Sequence, residues 1–216
     1  MKIGRLAPFY RWIEYCAFGP ALEQQRFAFL DRVSHAKRIL ILGEGDGRVL
    51  SRLLTIAPQA EIDVVEISPE MIALAQQRAG HSERIGWFCQ DARTIQFPSA
   101  NYDAVLTMFF LDCFTEPDAS RLIRRIARAL HPDALWLISE FAIPKRGWPK
   151  WHAQTWIRTM YFFFKVATGL EARSLPPIAR LLSEAGMQPV ERQQTRAGLI
   201  ISEVYLFVPI KMRNSN

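Results

Sequence analysis

The chain has 216 residues, 50% of them hydrophobic and 22% charged, with a formal net charge of +6. This composition excludes extended disorder outside residues 213–216 and provides enough chain for one good core. The charge suits an anionic partner such as a phospholipid surface, an acidic substrate or a nucleic acid, and it equally suits plain solubility, because the basic residues form no single run.

Three cysteines, Cys16, Cys89 and Cys113, are too few and too scattered for a metal knuckle or a redox pair. No metal is expected. Cys89 and Cys113 lie in apolar, strand-like stretches and are expected to be buried thiols. No signal peptide is expected, and no uncharged run reaches the ~18 residues of a membrane span. A reducing cytoplasm is the expected location.

In chain order, residues 1–35 are expected to form a helical arm. Phe9, Trp12, Ile13, Cys16 and Ala17 make one apolar stripe. Gly19-Pro20 interrupts it, and Leu22, Phe27, Leu30 and Val33 make a second. The arm serves either packing or as a lid over a substrate. Residues 39–42 form a buried strand that meets Gly43, Gly45 and Gly47. A helix follows from Arg48 to Ala57, closed by Pro58. Glu61–Ile67 is a second strand. Ser68, Pro69 and Glu70 then start a helix as N-cap, first-position proline and first-turn acid, and Gly80 stops it. Ile85–Cys89 is a third strand, Tyr102–Met108 a fourth, Pro117–Leu130 a helix and Leu135–Phe141 a fifth strand. Residues 143–175 are an aromatic, helical insertion carrying Trp148, Trp151, Trp156, Tyr161 and Phe162–Phe164. Pro176-Pro177 opens a short helix, and strands near 188–195 and 199–208 close the chain as a hairpin around Ala197-Gly198. Alternating strands and helices with a final hairpin predict an α/β fold. The expectation is one domain, 1–216, with a doubly wound, seven-stranded, mainly parallel sheet, a cofactor-binding core over 36–142 and a C-terminal helix and hairpin over 176–210.

The Gly-rich turn between strand and helix marks a nucleotide-like cofactor, because glycine lets a ligand approach the backbone and the helix start presents unpaired N–H groups. A dinucleotide fingerprint needs G-x-G-x-x-G. Here the third place is Arg48, which would crowd close helix–strand packing. The G-x-G-x-G spacing therefore argues against NAD and for a cofactor without a pyrophosphate.

Over residues 36–142 the chain resembles the class I S-adenosylmethionine (SAM)-dependent methyltransferases, of the type acting on small molecules. Gly43, Gly45 and Gly47 resemble the turn passing the methionine part of the cofactor. Glu66, 19 residues beyond the last glycine, resembles the acid binding both ribose hydroxyls. Such a diol is well held by a carboxylate through charge-assisted hydrogen bonds. Ile67 would lie on the adenine face, and Asp91 with Ala92 resembles the pair beside the adenine amino group. Bland readings stand beside these: a helix partner for Glu66, core for Ile67 and a cap for Asp91. The family usually carries an acid at the place of Ile41. This chain offers Glu44 and Asp46 instead, either to bind the cofactor's amino group or to face solvent at a helix start.

Phe109 and Phe110, under the place of the sulfonium, serve either to flank the cation or to pack. Asp112 is a candidate catalytic or orienting group, or a helix cap. His152 is the other candidate base, with Tyr10, Phe110, Trp148, Trp151, Trp156 and Tyr161 as candidate substrate contacts. These rings suit a hydrophobic or aromatic acceptor, quinone-like or lipid-like; alternatively they cover the sheet edge or form a dimer. No Asn-Pro-Pro-aromatic tetrapeptide follows the fourth strand, which argues against acceptors such as base amines. Arg121, Arg124, Arg125 and Arg128 form a stripe that is a solvated face or a contact with anionic lipid or nucleic acid. The resemblance implies a SAM-dependent methyltransferase. The alternatives are a non-catalytic SAM-binding regulator or scaffold and, less favoured, a nucleic-acid methyltransferase.

Overall fold

In the computed structural model, residues 20–142, 175–195 and 198–209 are described. The first stripe of the arm, Tyr10, His152 and the aromatic insertion lie outside them. The elements are α1 (Ala21–Phe27), a 3-10 turn (Leu30–Val33), β1 (Arg38–Leu42), α2 (Arg48–Ile56), β2 (Glu61–Glu66), α3 (Pro69–Ala79), β3 (Ile85–Cys89) and β4 (Tyr102–Met108). A second 3-10 turn (Leu111–Cys113), α4 (Glu116–Arg128), β5 (Leu130–Phe141), α5 (Ile178–Glu184), β6 (Met187–Thr195) and β7 (Ile200–Phe207) complete them.

The seven strands form one sheet in the order β3-β2-β1-β4-β5-β7-β6. All neighbours from β3 to β5 run parallel, and β7 is antiparallel to both β5 and β6. This is the fold expected from the alternation of elements, including the closing hairpin. Strand order reverses between β1 and β4. In open α/β sheets the crevice at such a switch point, beyond the strands' carboxyl ends, is where ligands bind.

Residues of period two divide the sheet's faces. Ile39 and Ile41 of β1 join Val49, Leu50 and Leu53 of α2 on one side. Leu40 and Leu42 join Leu122 and Ile126 of α4, Trp136 of β5 and Leu182 of α5 on the other. Burial of Leu50 and Leu53 contributes roughly 2 kcal/mol each. Two polar groups in this core are paired: Trp136 Nε1 donates to Thr107 Oγ1 at 3.0 Å, and the Tyr102 hydroxyl donates to Asp63 at 2.7 Å.

Helix starts follow the chemistry of their caps. Ser68 Oγ accepts from the Met71 N–H at 3.3 Å, with Pro69 at the first helical position. Thr115, rather than Asp112, caps α4 by accepting from the Asp118 N–H. The second stripe of the arm is α1 plus the 3-10 turn. It is tied to the sheet through Gln25, whose carbonyl accepts from Ser139 and Ser202 at 3.0 and 2.9 Å.

Two boundaries differ from expectation. β5 begins at Leu130, where it pairs with Tyr102, and α4 ends at Arg128. His131-Pro132-Asp133, ahead of the expected strand start at Leu135, forms an irregular beginning to it, with Asp133 at φ 66°. The arginine stripe is also not uniform. Arg125 turns inward, donating to the carbonyls of Ala92 and Ile95 with its guanidinium over Phe97, while Arg121 pairs with Asp118. Arg121, Arg124 and Arg128 keep the expected exposed place.

Candidate functional site

The turn after β1 and the turn after β4 meet at the switch point. All three glycines after β1 have positive φ: 70° at Gly43, 69° at Gly45 and 86° at Gly47. Their surroundings differ. A Cβ at Gly43 would overlap the Phe110 ring, and one at Gly47 would stand 2.6 Å from Ala75 Cα in α3. A Cβ at Gly45 would meet nothing within 4 Å. Two glycines thus seat the turn, and the middle one opens onto the crevice.

Glu66, the last residue of β2, stands beside that opening. Its Oε2 accepts from the Gly45 N–H at 3.2 Å and its Oε1 from the Ser68 N–H at 3.0 Å. Burial raises the Glu66 carboxyl above its ordinary range, and the N–H groups of Ser68, Gly45 and Ile67 oppose that rise. Ile67 is 40% exposed, an uncommon state for a large aliphatic side chain and one that leaves a flat apolar surface beside the acid. Asp91 follows β3, with its carboxylate gripped by Arg93 from Nε and Nη2 at 2.9 and 2.7 Å. This bond from Arg93, against partial burial, holds Asp91 below the usual carboxylate range. Ala92 is buried beneath it. A buried-edge carboxyl, an exposed aliphatic face and an open backbone cradle lie along one rim, an arrangement with room for the ribose, adenine and methionine parts that the resemblance implies.

Ile41, at the place where the resemblance calls for an acid, is 2% exposed in the apolar cluster against α2. Glu44 brings a carboxyl to the start of that helix instead. Its Oε1 accepts from the Leu50 N–H at 3.0 Å, and its Oε2 is buried without a partner. Burial pushes Glu44 up to about 8, against the pull of the Leu50 N–H. Glu44 therefore does not face solvent. Nor does Asp46, which is buried and pairs with Arg48 and Arg78, each at 2.8 Å. Burial works to raise Asp46, but the Arg78 and Arg48 guanidiniums overcome it and the net shift is downward. Arg48 thus folds onto Asp46 rather than crowding the turn, and Gly47 against Ala75 makes the close packing.

A raised acid stabilises the fold most below its unfolded pKa, and this contribution is lost as pH rises through the folded value. For Glu44 the window runs from 4.5 to about 8. Glu44→Gln is expected to flatten the decline of Tm across that window and to melt above wild type at pH 8.5. Parallel slopes in calorimetric scans from pH 5 to 8.5 would contradict this assignment.

The turn after β4 supplies the other wall. Phe109 has φ 55°, its N–H donates to the Ser139 carbonyl at 2.6 Å, and its ring lies 5.0 Å from that of Phe141. The Arg26 guanidinium stands over the Phe109 ring at 5.2 Å. A protein cation thus occupies this ring face, the kind of contact foreseen for a sulfonium. Phe110 rests on Gly43 and meets Phe114 edge-on. Asp112 is buried and hydrogen-bonded to Glu140, a residue that sequence reasoning missed. Burial pushes Asp112 up to about 6.

Cys89 and Cys113 are both exposed, contrary to expectation. Each sits where a strand or its exit turn reaches the crevice rim, beyond the covered core. His152, Tyr10, Trp148, Trp151, Trp156 and Tyr161 lie outside the described residues. Among the described residues no group of His, Cys, Asp and Glu could hold a metal, and no helix is long and apolar enough to cross a membrane.

Comparison with known proteins agrees with this geometry. The family described as "Methyltransferase domain" matches residues 39–133, from β1 into the start of β5. A demethylmenaquinone methyltransferase of Thermus thermophilus is 30% identical over 133 residues, which are 61% of this chain and 60% of that protein. The curated relatives are matched over 40% to 60% of their own lengths. The N-methyltransferase NodS of Bradyrhizobium japonicum, solved with S-adenosylhomocysteine, superposes with a TM-score of 0.65 at 18% identity, covering 86% of this chain and 87% of that one. The 1,6-didemethyltoxoflavin N1-methyltransferase of Burkholderia thailandensis superposes with a TM-score of 0.63 at 20% identity, covering 93% and 82%. The chain thus carries a match to the methyltransferase-domain family over residues 39–133 and shares its fold with solved methyltransferases.

Proposed function

We propose that this protein is a SAM-dependent methyltransferase acting on a small hydrophobic or aromatic acceptor, with a quinone-like ring as the favoured class. The observation that carries the cofactor is the open cradle at Gly45 bordered by the Glu66 carboxylate and exposed Ile67. Glu66 holds the ribose hydroxyls, Ile67 supports the adenine, and Asp91 with Ala92 borders its amino group. Gly43, Gly45 and Gly47 pass the methionine part, Glu44 faces its ammonium, and Phe109 lies near the sulfonium. The demethylmenaquinone relative supports the acceptor class. The aromatic insertion over 143–175 and Tyr10 serve as its pocket within a single domain of 1–216. Two exposed free thiols suit a reducing cytoplasm.

SAM supplies a methyl already activated by its sulfonium. The acceptor's lone pair forms the new bond as the carbon–sulfur bond breaks, leaving a neutral thioether. The protein's task is alignment in a dry pocket. An acceptor that carries a proton also needs a base. Asp112 fills that role from the turn after β4, as a carboxylate above pH about 6, and His152 is the second candidate. For such an acceptor the rate is expected to rise with pH through about 6 and to lose that limb in Asp112→Asn.

The test is calorimetry with SAM and with NAD, followed by labelled methyl transfer to quinols, phenols, lipids and RNA. SAM binding with label in the quinols or phenols is expected. Binding without transfer to any acceptor would favour a SAM-sensing regulator, and label in RNA would favour a nucleic-acid enzyme.

A further inference from the structure

Glu140 is the last polar residue of β5, set between Ser139 and Phe141, and it is 3% exposed. Its Oε1 accepts from the Leu111 N–H at 2.8 Å and the Phe110 N–H at 3.4 Å. One carboxyl oxygen therefore gathers two backbone donors of the turn after β4. The neighbouring Ser139 carbonyl takes the Phe109 N–H. Three successive N–H groups of that turn are thus fixed by two successive residues of β5. This holds Phe109 in its left-handed conformation and lays Phe110 against Gly43 of the cofactor turn.

The other oxygen, Oε2, is buried with no hydrogen-bond partner. It belongs to a carboxyl in hydrogen-bond contact with Asp112, and two carboxyls in such contact need one proton between them. The Cys113 thiol of the same turn faces both carboxyls and, further off, that of Glu66 from β2. The Cys113 thiol lies 3.6 Å from Asp112 Oδ1.

We infer that Glu140 is a positioning residue: its neutral carboxyl latches the turn after β4 to the cofactor turn through Oε1 and shares one proton with Asp112. Burial and the adjoining Asp112 charge, which raise Glu140 far above the ordinary range, agree with this state. The role in catalysis rests on the methyltransferase reading, because the latch orients Phe109, Phe110 and Asp112 toward the acceptor side. The protonation state is independent of that reading.

Cys113, exposed and next to Asp112, reports on the pair directly. Its alkylation by iodoacetamide at pH 8, followed by peptide mass spectrometry, is compared in wild type, Glu140→Gln, Glu140→Leu and Asp112→Asn. Thiolate fraction changes about tenfold per unit of thiol pKa. Asp112→Asn removes a charge beside the thiol and is expected to speed alkylation about threefold or more. Glu140→Gln replaces one neutral donor by another and is expected to stay within about twofold of wild type. In SAM calorimetry Glu140→Gln is expected to remain within about threefold, and Glu140→Leu, if folded by circular dichroism, to weaken by tenfold or more. Acceleration in Glu140→Gln equal to that in Asp112→Asn would overturn the inference, as would wild-type SAM affinity in folded Glu140→Leu. If Glu140→Leu does not fold, the Glu140→Gln arm decides alone. Failure of wild type to bind SAM would sink the methyltransferase proposal, while the alkylation arm still judges the proton.

Discussion

Glu66→Ala is expected to abolish most SAM affinity while leaving the protein folded. In the proposed complex the carboxylate takes two ribose hydroxyls, and hydrogen bonds to a charged group contribute about 1.5–3 kcal/mol each. Allowing for non-additivity, a loss of about 2–4 kcal/mol corresponds to roughly 30- to 1000-fold in Kd. The fold feels the change less, because the substitution frees two N–H groups, at Gly45 and Ser68, that border an open crevice. Glu66→Gln separates charge from shape. It keeps an oxygen for one N–H and loses the charge, so its affinity should fall between the two. The pH dependence has a definite sign. Burial raises the Glu66 carboxyl above 4.5, so acidification protonates it early, and wild-type affinity should decline on the acid side while the glutamine variant stays flat. Calorimetry from pH 5 to 8 reads both effects. Folded Glu66→Ala that binds SAM as tightly as wild type would remove the basis of the proposed site.

Features carried by local pattern were legible in the sequence. A strand, a glycine turn and an amphipathic helix are adjacent in the chain, and their geometry follows from residues within a few positions of one another. Glu66 could be placed at the end of a strand, and Asp91 just beyond one, because the apolar runs of those strands are plain. Features that depend on partners far along the chain were not legible. Asp46 reads as a loop acid until Arg78, 32 residues later, is folded against it. Arg125 reads as one member of a solvated stripe until its helix is set beside the carbonyls of residues 92–95. Glu140 sits in an apolar run, LWLISEF, where nothing local announces a buried acid. Its partner Asp112 was visible, but the contact joins the ends of two parallel strands. The thiols failed for a related reason: hydrophobic neighbours predict burial along a strand, but not at the rim where the strand opens onto a crevice. Even Ile41 became intelligible only in three dimensions. It faces α2 within the core, and Glu44 brings a carboxyl to the start of that same helix.

The glycine turn yields the sharpest contrast between stability and binding. Gly47→Ala is expected to destabilise the fold by about 2–5 kcal/mol. Left-handed backbone at φ 86° costs a residue with a Cβ about 1–2 kcal/mol, and overpacking adds about 1–3 kcal/mol. The packing term cannot relax easily, since the new Cβ would stand 2.6 Å from Ala75 Cα and 3.1 Å from its carbonyl oxygen, both main chain of α3. For a domain of this size each kcal/mol lowers Tm by about 2–4 °C, giving a fall of roughly 4–20 °C. Gly45→Ala has the backbone term at φ 69° but meets no neighbour, so its Tm should fall far less. Its methyl instead enters the cradle where the cofactor approaches, and SAM affinity should drop tenfold or more, about 1.4 kcal/mol. The two variants should therefore separate cleanly when melting and calorimetry are read together. Ala75→Gly is not expected to rescue Gly47→Ala. It removes the 3.0 Å Cβ contact but leaves the backbone contacts, and it adds about 1 kcal/mol of helix cost in α3. Full recovery of Tm in the double variant would mean that side-chain crowding, not the approach of two backbones, is what requires glycine at 47.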